Sequence, residues 1–229
     1  MGLAVLAFAI PVAISAAMSM VLALSMAAPS GTELAVCCSV AALLAVQLCA
    51  PLTHIAFDGA VARIVAPPTM ALTATILPHV AITGGAQTVS IWLAILIALT
   101  TVLFDRLGVL FGQLTNRHDS GSALSFLLLA IVIAAPLWLG RLPELQPGQE
   151  LLNSLPLMAS PLAWVSSALG FDIMRSTWFY QHASFGAARY AYASIPATAT
   201  ACLVIGTSLT LATEWLRRRR RARKGEYSQ

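Results

Sequence analysis

The sequence predicts an all-α, polytopic membrane protein with six spans and a re-entrant helical segment before the last of them. Three observations carry this expectation. Hydrophobic residues make up 59% of the 229 positions and charged residues only 10%, where a soluble domain carries about a quarter charged. Mean hydropathy is +0.82. The apolar residues also gather in runs of the length lipid demands, since about 20 residues at about 1.5 Å each cross a hydrocarbon core of about 30 Å.

Six runs qualify: residues 3–27, 33–57, 61–83, 88–104, 123–142 and 194–215. No Lys or Arg precedes the first, which is longer than a signal core, so it reads as a retained span despite the small residues of "LSMAAPS". Pro67, Pro68 and Pro78 interrupt the third, a tolerable feature where neighbouring helices satisfy the freed carbonyls. The fourth is short and continues through the amphipathic stretch Leu107 to Leu114. The segment 143–193 holds "LLNSLPLMASPLAWVSSALGF", almost long enough for a seventh span. Pro156, Pro161, Asn153 and its serines argue instead for paired short helices dipping into the outer leaflet against the bundle. "FDIMRSTWFYQHASFGAARYAY" then mixes aromatics with Arg175 and Arg189, as at a membrane interface. Residues 1–216 form the membrane domain and 217–229 a basic tail.

Charge sets the expected orientation. Arg217 to Arg221, Arg223 and Lys224 follow the last span, and basic residues near a span end stay on the cytoplasmic side. Counting six spans back places the amino terminus inside as well. Arg63, Arg106 and Arg117 then fall in cytoplasmic bends, and only Arg141, Arg175 and Arg189 fall outside. On this reading Asp58 and Asp105 each begin a hydrated bend, because an Asp at the bilayer centre costs about 2.5–3.5 kcal/mol.

Chemistry-bearing motifs are missing. There is no GxxxxGK followed by Ser or Thr, no HExxH, no CxxC pair and no nucleophile elbow. Cys37, Cys38, Cys49 and Cys202 lack metal-ligand spacing and read as small apolar residues. His54 and His79 sit in expected spans, but at opposite ends of them, about 20 Å apart along the normal, too far for one haem iron. Gly108 and Gly112, at i and i+4, are suited to close helix approach. The chain is expected to be no enzyme, to hold no metal or cofactor of its own, and to bind no nucleic acid. The arginine tail either fixes orientation or meets anionic lipid.

"LPHVAITGGAQTVSIWLAILIALTTVLFDRLGVLFGQLTNRHDSGSALSFLLLAI" resembles the middle of the type-2 ATP-binding-cassette transporter permeases. The likeness lies in the proline-ended span at Pro78, the outer turn at Gly84 and Gly85, the stretch Leu107 to Gly112, the basic bend at Arg117 and the Ala-rich span from Ala123. "LPLMASPLAW" is similar to that family's outer-leaflet segment, and a basic tail closes both. The resemblance spans about two thirds of the chain. It implies a permease subunit of an exporter in a bacterial inner membrane, paired with a second permease chain and driven by a separate cytosolic subunit that binds ATP. It further implies ATPase contact through the cytoplasmic bends, at Asp58, Gly59 and Arg63 and at Asp105, Arg106, Arg117 and His118. Two departures are visible: span one starts at once, without a surface helix, and only "FDGAVARIVAPPT" stands where the family carries a coupling helix. These favour a non-transporting scaffold or assembly subunit as the chief rival. A haem-bearing redox subunit would use His54, His79 or His182. A secondary transporter would need ionisable residues within its spans or broken helices at the midplane, and the sequence offers only proline breaks.

Overall fold

The computed structural model describes residues 2–26, 30–57, 60–83, 90–139, 150–172 and 192–226. All regular structure among them is helical: α1 (Gly2–Ser25), α2 (Gly31–Leu48), α3 (Ala50–Ala56), α4 (Ala60–Thr83), α5 (Ile91–Thr115), α6 (His118–Leu139), α7 (Glu150–Ala159), α8 (Pro161–Ala168) and α9 (Ile195–Glu226). Six of these, α1, α2, α4, α5, α6 and α9, are long and apolar enough to cross a membrane. The chain is an all-α, multi-pass membrane protein.

The bundle is built around α2, whose faces are covered by α1, α4, α5, α6 and α8. Its sequence explains that position: Ala41, Ala42 and Ala45 are fully buried, and such small side chains let neighbouring backbones come close. A capping box starts the helix, with the Ser30 hydroxyl accepting from the Glu33 amide and the Glu33 carboxylate accepting from the Ser30 amide. At the other end of the bundle's cross-section, α9 lies at the edge, packed mainly along α5 and presenting Leu203, Val204 and Leu211 outward.

Prolines shape the spans, and two of the freed carbonyls find a new donor. Run 33–57, expected as one span, is two helices. Pro51 has no N–H to offer the Gln47 carbonyl, and the helix stops at Cys49 before resuming as α3. In α4, Pro78 leaves the Ala74 carbonyl without its helical donor, and the buried Ser15 hydroxyl of α1 supplies one at 2.9 Å. Pro67 does the same to the Arg63 carbonyl, which instead accepts from Arg106 Nη2 at 3.2 Å.

Among its described residues, the segment before the last span forms two short helices, as expected. Ser160 separates them, is fully buried, and its hydroxyl donates to the Ile133 carbonyl at 3.4 Å, three residues before Pro136. Leu157, Leu162, Ala163 and Val165 bury themselves among α2, α5 and α6. Ile133 lies 15 residues into α6, so the pair sits about 22 Å along the bundle from the α5–α6 turn.

One further expectation needs correction. α5 continues unbroken to Thr115, so Asp105 and Arg106 lie inside it and no hydrated bend begins there. α6 starts at His118, leaving only Asn116 and Arg117 between the helices. α9 runs on into the basic tail as far as Glu226.

Candidate functional site

The α5–α6 hairpin is clamped by glycine. A Cβ on Gly121 would collide with the Gly108 carbonyl and the Gly112 amide, so only hydrogen fits there. A Cβ on Gly108 would press to 3.3 Å on Ser125 Cβ and 3.7 Å on Gln47 Nε2. The space Gly108 leaves is therefore used: Gln47 Nε2 donates to Ser125 Oγ at 2.9 Å, and Ser125 Oγ donates to the Phe104 carbonyl. Three spans meet at this polar knot, wholly inside the bundle. At the tip, Asn116 takes a left-handed conformation with φ 57°, and the Arg117 amide returns to the Gly112 carbonyl at 3.1 Å. α9 reaches the same tip, where Arg220 Nη1 donates to Asn116 Oδ1 at 2.7 Å and Nη2 to the Gln113 carbonyl.

One residue past Phe104 lies an ionic cluster. Asp105 is 3% exposed, with His54 Nε2 at 3.2 Å from Oδ1 and Arg106 Nη2 at 3.3 Å from Oδ2. Neither carboxylate oxygen receives a well-aligned hydrogen bond, so charge, more than directed donation, holds the group. Arg106 is 12% exposed and also reaches the Arg63 carbonyl, while His54 is 28% exposed and forms the outer edge of the cluster. A guanidinium stays charged at any physiological pH. Removing one partner of so buried a pair strands the other, at a cost of about 3–5 kcal/mol. Arg63 itself turns away, its Nε donating to the Phe57 carbonyl at 3.1 Å.

The residues expected to meet a partner are thus scattered in accessibility. Arg117 is exposed and Arg63 exposed, whereas Asp105 and most of Arg106 are enclosed. His118 starts α6, and its side chain, like Asp58 and Gly59, lies outside the described residues. The two bends also stand at different heights. Arg63 lies three residues into α4 and Arg106 nine residues before the end of α5. Beyond the Arg106–Arg63 contact α5 thus runs six residues further than α4 does.

Gln47 and Ser125 were missed in the sequence, although Gln47 is the single amide in run 33–57 and a polar residue within a span is a functional signal in itself. Of the histidines, His54 faces Asp105, and His79 is buried on α4 with Nδ1 lacking a hydrogen-bond partner. His182 lies outside the described residues. Among the described residues no group of three His, Cys, Asp or Glu side chains is placed to hold a metal ion. No family model matches the chain, and neither a curated protein nor a solved structure matches it.

Proposed function

We propose that this chain is the membrane permease subunit of an ATP-driven exporter in a bacterial inner membrane, with both termini cytoplasmic, working as a pair of permease chains with a separate cytosolic subunit that binds ATP. The observation that carries the reading is the projecting α5–α6 hairpin. Its glycine clamp and its link through Arg220 to α9 make it a stiff lever, and work done on its tip passes to α5 and α9 together. Arg117 and Asp119 are exposed charges at that tip. The paired helices α7 and α8 before the last span add support, since the resembling family has a segment of that kind. Asp58, Gly59, Arg63 and His118 complete the proposed contact; Asp105 and Arg106 act behind it, from within the bundle.

A second reading has its own observation. Only three residues separate α3 from α4, leaving no room for a coupling helix, and this favours a scaffold that no longer engages an ATPase. The two are told apart by isolating the full chain from its own membranes with nucleotide-binding chains identified in the eluate. A permease co-isolates one, and Arg117→Glu lowers its recovery about tenfold, as a reversed charge at the contact requires. Recovery of no nucleotide-binding chain, with Arg117→Glu without effect, gives the scaffold. Tag accessibility from the outer side at the end of α9 overturns the orientation.

A further inference from the structure

We propose that His54 and Asp105 form a proton-binding site that fastens α3 to α5, a proton taken from water by His54 tightening the contact and its loss loosening it. The site does not depend on the permease reading.

Three observations place it. First, the chain is broken where the site needs freedom: α3 is a short helix of seven residues, separated from α2 at Cys49. Its backbone lies against α1, α2, α4 and α6 but scarcely approaches α5. The His54–Asp105 contact at 3.2 Å therefore reaches across a gap that no backbone packing closes. Second, the two partners differ in access. Asp105 is enclosed, while His54 keeps 28% of its side chain exposed, so a proton can enter by the imidazole. Third, the carboxylate lacks aligned donors, and its other cation, Arg106, is permanent. Among the described residues the other ionisable group against Asp105 is the imidazole, and histidine is the side-chain type that ordinarily changes charge between about pH 5 and 8. A protonated imidazole adds an opposite charge beside the carboxylate, and that attraction needs no aligned hydrogen bond.

Among the described residues the surroundings offer no competing switch. α1 and α8 carry no ionisable side chain, and α2 contributes the neutral Gln47. α4 contributes Arg63, engaged with the Phe57 carbonyl. His118 and Asp119 stand at the start of α6, away along the hairpin. Glu214 on α9 is held by Arg217 and Arg218.

The test measures the α3–α5 distance in the full chain, reconstituted in lipid nanodiscs. Spin labels are placed at Ile55→Cys and Leu114→Cys, both exposed positions. The native cysteines Cys37, Cys38, Cys49 and Cys202 are buried, and a chain without the two new cysteines supplies the background. A narrow distance distribution is expected at about pH 5.5, broadening and lengthening by about 2 Å or more at about pH 8.5. His54→Gln gives the loosened distribution at both values and His54→Lys, a permanent cation, the tight one at both. Asp105→Asn matches His54→Gln if it folds; the two His54 variants decide the matter without it. An identical wild-type distribution at both pH values overturns the site, as does a pH response that survives in His54→Gln.

Discussion

The α3–α4 and α5–α6 turns, linked by the Arg106 bridge, are built on opposite plans. The first is short, set back and tied down by charge: Arg63 to Phe57 O, Arg106 to Arg63 O, His54 to Asp105. The second projects, is held by steric fit at three glycines, and carries its charges outside. An ionic tie answers to proton concentration and to the loss of a single partner. A glycine clamp answers to neither, only to added volume. One end of this bundle therefore combines an adjustable bend with a rigid one.

Substitutions separate the two plans by the size of their effects. Asp105→Leu removes the buried anion and strands Arg106, and a loss of about 3–5 kcal/mol is expected, read as a lowered denaturation midpoint in detergent. Gly121→Val should cost about 1–3 kcal/mol by overpacking the hairpin. Its signature is proteolysis between α5 and α6 while the α3–α4 turn keeps its protection; cleavage of both turns together would show that the clamps are one unit. Ser125→Ala deletes the donor to Phe104 O and leaves Gln47 Nε2 its longer contact at 3.4 Å. About 1 kcal/mol is expected, seen as faster amide exchange around Ser125. The smallest effect belongs to Arg220→Ala, whose exposed contacts are worth under about 1 kcal/mol. Stability should barely move, while the separation of α9 from the tip of the hairpin, measured by spin labels, widens.

Much of this architecture was readable in the residues. Run length and composition gave six crossings, and Pro156, Pro161 and the serines of the preceding segment marked α7 and α8. The amphipathic stretch after Leu107 announced that α5 continues. The burial of Asp105 was not readable, for a physical reason. An Asp-Arg pair closing an apolar run looks hydrated when judged by its own neighbours in sequence. What encloses it comes from elsewhere: α3 is freed at Pro51, which brings His54 across, and Pro67 vacates a carbonyl for Arg106. Gln47 was masked in the same way, since its partner Ser125 is 78 positions distant. Gly121 announced nothing either, because its role exists only opposite Gly108 and Gly112.

The length of α9 has a consequence of its own. At 32 residues it extends about 48 Å, well beyond a hydrocarbon thickness of about 30 Å. It touches α8 at one station and the α5–α6 tip at another. A single shaft thus runs between two structures well separated along the bundle, so axial rotation of that shaft is sensed at both at once.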